Sequence, residues 1–350
     1  MTIDGRGAAE AGRVGRHERR AWLARSILVQ YLLLALTWGA SFLFIKVGLE
    51  GVSPGQVVLG RLVAGAAALA LISAVTRQRL PGQAVVWAHL AVVSVLLCVV
   101  PFLLFAWAEQ QVSSGLASIL NATTPLMTTL VALGALPQER PTPPRLAGLL
   151  TGFCGVVLVL APWPGTTVSG TPGSAGAGPA GSRVGEVACL AATFSYGLAF
   201  VYLRRTLAPR RLPAVPVATV QVGLGAAVML ALTPLLAAHP VHLTGRVVAS
   251  VLTLGVLGTG LAYVWNTNVV AGWGATNAST VTYLTPLVGV VAGAVALGER
   301  ITWNQPAGAL VVVLGIAVSQ DRLPALLAFA RLRHSSPVPV GVEPDGTTPT

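Results

Sequence analysis

Trp38-Gly-Ala-Ser-Phe-Leu-Phe-Ile-Lys46 and Tyr196-Gly-Leu-Ala-Phe-Val-Tyr-Leu-Arg204 decide how this chain folds. The two nonapeptides agree aromatic for aromatic and base for base. Further on, Arg61 and Gly65 are answered by Gln221 and Gly225, and Thr124-Pro125-Leu126 by Thr285-Pro286-Leu287. Glu139-Arg140 is answered by Glu299-Arg300, and Gly148 with Gly155 by Gly308 with Gly315. All offsets lie between 158 and 161. Chance gives one such match, not an ordered series, so the chain is an internal repeat.

The repeated unit is apolar. Only 9% of residues are charged and 54% are hydrophobic, with a mean hydropathy of +0.75. A soluble domain carries roughly a quarter charged residues, so water is not the solvent for most of this surface. Glycine (39) and proline (24) are plentiful, as they are in transmembrane helices. A spanning helix needs about 20 mostly apolar residues. Ten such runs are found, at 27–47, 55–75, 87–107, 113–135, 143–162, 184–204, 214–237, 246–268, 274–297 and 303–320. The links at 108–112 and 271–273 are the shortest.

Five spans per copy is an odd number, so the second copy enters the membrane from the opposite side. The expectation is an all-α integral membrane protein, ten transmembrane helices arranged as two inverted five-helix repeats. Such repeats are a device of secondary transporters. The predicted organisation is a basic cytoplasmic N-tail at 1–26, a first unit at 27–162 and an outer Gly/Ser/Pro linker at 163–183. A second unit follows at 184–320, with a largely disordered cytoplasmic C-tail at 321–350.

Basic residues set the orientation. With a cytoplasmic N-terminus, the inner segments hold seventeen arginines, among them Arg16, Arg77, Arg145, Arg205 and Arg331. The outer loops hold only Arg183, Arg246 and Arg300, while Lys46 and Arg61 lie within helices. Both termini are therefore expected inside, in a multi-pass protein of the plasma (inner) membrane. The run after Arg25 is too long for a signal-peptide core of about 7–15 residues.

The same distribution explains the net charge of +11 without a nucleic acid partner, because no basic, aromatic-laced face exists. Cys98, Cys154 and Cys189 lie singly in apolar runs, and the five histidines are scattered. Neither a disulfide framework nor a metal site is expected. No Walker motif, HExxH or nucleophile elbow occurs, so no enzyme activity and no cofactor are expected. Asn121-Ala-Thr and Asn277-Ala-Ser match glycosylation sequons but fall in membrane runs.

With these residues in hand, the chain resembles the EamA family of the drug/metabolite transporter superfamily. The likeness rests on Trp38-Gly39-Ala40-Ser41-Phe42 and Tyr196-Gly197, on Arg61, and on Gly258-Thr-Gly-Leu-Ala-Tyr263. It rests also on the two Thr-Pro-Leu motifs, each followed by Glu-Arg. It covers about residues 27–160 and 184–319. Each motif alone is weak; the paired, ordered set is specific. Pro137, where the second unit has Leu297, departs from the pattern and is expected to alter a turn. The resemblance implies a ten-helix exporter or importer of metabolites, with substrates that vary widely among members.

Candidate site residues follow from depth in the membrane, where polar groups are costly and usually face a cavity or a partner. Pro125 and Pro286 fall near midplane and free the carbonyls four residues back, those of Asn121 and Thr282. Freed backbone is tolerated where it is buried or lines a cavity. Asn121, Thr124, Thr282 and Thr285, beside Pro125 and Pro286, therefore line a substrate path, or else the prolines are packing kinks and the hydroxyls bond back within the helix. Trp38, Ser41, Tyr196, Tyr263, Asn266 and Tyr283 add aromatic and polar walls, against the alternative of interfacial belts. Arg61 sits two turns into its helix, roughly 9 Å deep. It either pairs structurally with Glu109 or binds an anion in the cavity. Lys46 is expected to snorkel to the headgroups. No acid lies at midplane, so a buried-carboxylate relay is not expected.

The expected partners are a small-molecule substrate and the lipid bilayer; a homodimer is neither required nor excluded. The leading reading is a secondary transporter working by alternating access. A non-transporting receptor or scaffold is the alternative. An intramembrane enzyme is disfavoured because such a site needs convergent His, Asp or Glu, and the runs hold only scattered ones near their ends.

Overall fold

The computed structural model describes residues 5–135, 142–160, 179–236, 239–274 and 278–319. Among these residues the structure is all helical, without a strand. The helices are α1 (Gly5–Gly48), α2 (Pro54–Val75), α3 (Ala84–Ala108), α4 (Ser114–Ala135) and α5 (Pro143–Leu160). They continue with α6 (Pro179–Thr206), α7 (Ala214–Ala231), α8 (Gly245–Trp273), α9 (Val281–Leu297) and α10 (Asn304–Ser319). Segments of α1 to α8 are long and apolar enough to cross a membrane; α9 and α10 are apolar but shorter. The protein is thus a multi-pass membrane protein.

Local chemistry sets the helix ends. Ser53 caps α2 in a reciprocal box with Gln56, and Pro54 follows at a position where its missing N–H is not needed. Ser113 and Thr244 cap α4 and α8 by accepting from Leu116 N and Val247 N. Gly298, at φ 65°, ends α9 in the left-handed conformation that glycine adopts without strain. The expected break at 271–273 is not formed: α8 runs through Trp273 and the link begins at Gly274, φ 83°. The first helix also extends back to Gly5, through most of the segment expected as a tail. The linker core, the C-tail, Pro137 and Glu139-Arg140 lie outside the described residues.

Helix contacts come in pairs related by the sequence repeat. α1 packs on α9 as α6 packs on α4, and α3 packs on α6 as α8 packs on α1. α5 with α10, α2 with α7 and α4 with α9 are each their own counterparts. Even the irregularities correspond, since α3 passes through a π turn at Val95–Val99 and α8 through another at Val256–Leu261. Lipid is as apolar as leucine, so close packing rather than water exclusion must hold such helices together. Gly39 shows how: a Cβ there would come within 2.8 Å of the Thr285 carbonyl oxygen, and one at Gly197 within 2.9 Å of the Met127 carbonyl oxygen. The aromatic-Gly motif of each repeat is therefore a contact with the Thr-Pro-Leu helix of the other.

The outward faces remain apolar. Leu28, Leu32 and Leu36 on α1, and Leu287, Val291 and Val295 on α9, form exposed stripes at four-residue spacing. Inside, Leu62, Leu69, Leu90, Val93, Val222 and Met229 join α2, α3 and α7. Phe42, Phe105, Leu120 and Ala192 join α1, α3, α4 and α6.

Candidate functional site

Between these packed groups lies a cavity of about 360 Å³. Its wall contains Trp38 and Ser41 from α1, Arg61 from α2, Asn121 and Thr124 from α4, and Tyr196 from α6. Tyr263 and Asn266 from α8 and Thr282 and Thr285 from α9 complete the polar and aromatic lining. These residues were singled out above from depth and repeat alone, and the fold gathers them round one space. Three others are not in the wall. Pro125 and Pro286 do not line it, and the Pro286 carbonyl accepts from the Ser118 hydroxyl at 3.4 Å. Tyr283 packs with Leu126, Leu149 and Ile316 instead.

The proline-freed carbonyls do not reach the cavity unpartnered. Asn121 O accepts from the Thr124 hydroxyl at 2.7 Å, and Thr282 O from the Thr285 hydroxyl at 3.1 Å. The same back-bond serves in both repeats. α4 is interrupted at this point, between Asn121 and Thr124, and the Asn121 side chain stands in the cavity wall beside the break.

Arg61 is 8% exposed. Its Nε donates to Thr259 Oγ1 at 2.9 Å, and its guanidinium lies 3.7 Å over the Phe102 ring. Of the two alternatives for Arg61, the ion pair with Glu109 is not formed; no described acid comes within ion-pair reach of Arg61. Both Glu109 carboxylate oxygens are buried with no hydrogen-bond partner among the described residues. Thr259 belongs to the π turn of α8, where the loosened backbone turns its hydroxyl toward α2. The terminal amino groups of Arg61 are left to the cavity.

Lys46 does not reach outward as expected. Its ammonium donates to the carbonyls of Glu109 and Val112, the latter at 2.9 Å, at the end of α3. Nearby, the Glu299 carboxylate accepts from Ser114 N at 2.8 Å and Gly115 N at 3.0 Å, at the start of α4. This end of the bundle is thus tied shut between α1, the end of α9 and the α3–α4 link. At the opposite end the cavity wall extends to Val270, Ala278 and Ser279, where α8 ends and α9 begins.

Sequence reasoning missed several wall residues, among them Ile45, Leu97, Phe102 and Phe200. Phe102 carries the cation–π contact, yet in sequence it is one aromatic in a long apolar run. Other polar groups near the wall are occupied. Gln221, the repeat counterpart of Arg61, donates to Tyr263 OH at 3.1 Å. The Ser195 hydroxyl donates to Leu96 O at 2.7 Å. The side-chain amides of Asn121 and Asn266 and the Tyr196 hydroxyl have no hydrogen-bond partner among the described residues. Among the described residues no cluster of His, Cys, Asp and Glu could hold a metal.

Comparison with known proteins bears on the family and the fold. A family model described as the EamA-like transporter family matches residues 25–161 and 183–319. The chain is 26% identical over 298 residues to the uncharacterized transporter YdfC of Bacillus subtilis, covering 83% of this chain and 89% of that one. It is 26% identical over 302 residues to a probable amino-acid metabolite efflux pump of Salmonella typhimurium, covering 82% and 92%. A protein known from its crystal structure superimposes with a TM-score of 0.57 at 20% identity, over 89% of this chain and 99% of that one. That likeness concerns the fold alone.

Proposed function

The chain belongs to the EamA-like transporter family and is a membrane transporter of small metabolites; on that premise we propose that it exports an amino-acid-like solute by alternating access between two inverted five-helix units. In this reading all ten helices cross the plasma membrane and both termini are cytoplasmic, an orientation that the arginine distribution supports. The end tied by Lys46 and Glu299 is then the outer end, and the cavity opens to the cytoplasm.

One observation carries the substrate class. The cavity holds a guanidinium that no described acid neutralises, backed by Phe102 and walled by Trp38, Tyr196 and Tyr263. A buried cation without a partner costs several kcal/mol, which a carboxylate on the solute would offset by a bidentate, charge-assisted contact. Asn121 and Asn266 offer amide oxygens to an ammonium group, and the Trp38 face offers a cation–π contact. The aromatic wall suits an apolar side chain. The efflux-pump relative from Salmonella typhimurium is named for cargo of this class.

The packing supports such a mechanism. α1 and α9 form one close-packed pair through Gly39, and α4 and α6 another through Gly197; in this reading the two pairs shift against each other where Gly289 of α9 meets Ser118 of α4. Rocking one pair against the other closes the cytoplasmic end and releases the Lys46 and Glu299 ties.

Flux of a radiolabelled panel of amino acids, amino-acid derivatives and non-acidic metabolites in proteoliposomes tests the proposal. Saturable movement confined to carboxylate-bearing solutes is expected. Movement of non-acidic metabolites alone would overturn the substrate class.

A further inference from the structure

The α3–α4 link is held from two sides, by Lys46 on the carbonyls of Glu109 and Val112 and by Glu299 on the amides of Ser114 and Gly115. Glu109 lies in the middle of this clasp. It is 0% exposed, and neither carboxylate oxygen has a hydrogen-bond partner among the described residues. Neither the transported solute nor the fold uses it. The cavity wall does not include it, and Arg61 is bonded to Thr259. An ionised carboxylate buried without hydrogen bonds is among the costliest arrangements in a protein, and such a group takes up a proton instead.

We infer that Glu109 is a proton-binding site, and that its protonation holds the outer end closed. This rests on the alternating-access reading above. The proton comes from hydronium in the solvent, through the crevice of about 450 Å³ that Lys46, Leu49, Glu50, Glu109, Gln110, Leu297 and Glu299 line. Binding converts the carboxylate to a neutral carboxyl and leaves water behind. When the link parts from Lys46 and Glu299, Glu109 meets water and gives the proton up.

The groups facing Glu109 come from every element around it. Lys46 of α1 favours the charged form, Glu299 after α9 opposes it, and Arg61 of α2 favours it weakly; burial outweighs them all. The carboxyl, which follows the α3 span, is therefore held well above the usual carboxylate range, chiefly by loss of water. α6 packs on the link at Gly185 and brings Cys189 and Glu186 to the same region. Glu50 faces the crevice but is paired with Arg246 at 3.3 Å.

The sign is fixed by linkage. The closed state binds the proton more tightly than the open state, so closure is favoured at low pH. As pH rises from the ordinary carboxylate value toward the raised one, the open-to-closed ratio climbs by up to about tenfold per unit. Control by Glu299 would have the opposite sign, because protonating that carboxylate removes its contacts to Ser114 and Gly115.

Spin labels at Gln110→Cys and Ile301→Cys, in full-length Cys154→Ser protein in lipid nanodiscs, read the distance across this end between about pH 5 and pH 8. The expected result is a long-distance population that grows at least several-fold with pH, and that Glu109→Gln abolishes in favour of the short distance. Glu299→Gln should raise the long-distance population while keeping the upward pH response. If Glu109→Gln does not assemble, the direction of the response in wild type and in Glu299→Gln decides. A flat or reversed response, or one unchanged in Glu109→Gln, overturns the proton site. Closure by sodium at fixed high pH would overturn it in favour of a metal-cation site. Retained flux alongside a flat response would overturn this inference and leave the alternating-access reading standing.

Discussion

The first and second repeats agree in scaffold and differ in charge. Gly39 and Gly197 make the same close approach, Thr124 and Thr285 satisfy the same freed carbonyls, and π turns interrupt α3 and α8 alike. At one position the agreement fails. Arg61 in α2 is a partly unpaired cation in the cavity wall, whereas its counterpart Gln221 in α7 is a neutral side chain already bonded to Tyr263. The comparison teaches that the repeat builds a shared frame, while the one departure from it is where the proposed function puts the contact with the solute.

The largest expected effect lies at that departure. Arg61→Ala should lower flux of a carboxylate-bearing solute by about 100-fold, the loss expected when a desolvated charge-assisted pair worth roughly 3 kcal/mol is removed. Gln221→Ala should cost only about a fewfold, since a neutral hydrogen bond contributes about 1 kcal/mol. Initial rates at matched membrane levels would measure both. Equal losses would mean that the asymmetry is structural and not chemical.

The scaffold predictions concern stability and should come in equal pairs. Gly39→Leu and Gly197→Leu each force a side chain against the backbone of a neighbouring helix, for about 1–3 kcal/mol of destabilisation. Thermal unfolding in detergent should register similar losses for the two; a large difference would break the equivalence of the repeats. Thr124→Val and Thr285→Val leave the Asn121 and Thr282 carbonyls without their hydroxyl donors, for about 1 kcal/mol each. The smallest effect is expected at Val291→Ala on the exposed stripe of α9, within about 0.5 kcal/mol of wild type.

Much of this arrangement was legible in the sequence for a physical reason. Membrane helices must satisfy their own backbone, so length, hydrophobicity and Gly/Pro punctuation locate them, and most expected ends fall within a few residues of the observed ones. The repeat pointed to Trp38 with Tyr196 and Asn121 with Thr282 because equivalent depths recur along it, and Tyr263 followed from its depth in the eighth helix. What depth cannot give is rotation about the helix axis. Pro125, Pro286 and Tyr283 lie at suitable depths but do not line the cavity. Phe102 lies under Arg61 only because of the lateral register of α2 and α3. Glu109 looked like a boundary residue from its place along α3; its burial comes from α1, α6 and the segment after α9, which approach from the side. Lys46, likewise, was expected in the headgroups because its distance from the helix end said nothing of the carbonyls beside it.

Central to the proposed function is that the Arg61 guanidinium, held at Nε by Thr259, receives the carboxylate of the cargo at its terminal amino groups. Competition between an amino acid and its carboxamide for a transported tracer, in wild-type and Arg61→Ala proteoliposomes, tests it most directly. The account predicts that wild type prefers the acid by at least about tenfold, as one charge-assisted contact provides, and that Arg61→Ala loses the preference. Wild type that treats acid and amide alike, or an Arg61→Ala variant that still favours the acid as strongly, would contradict it.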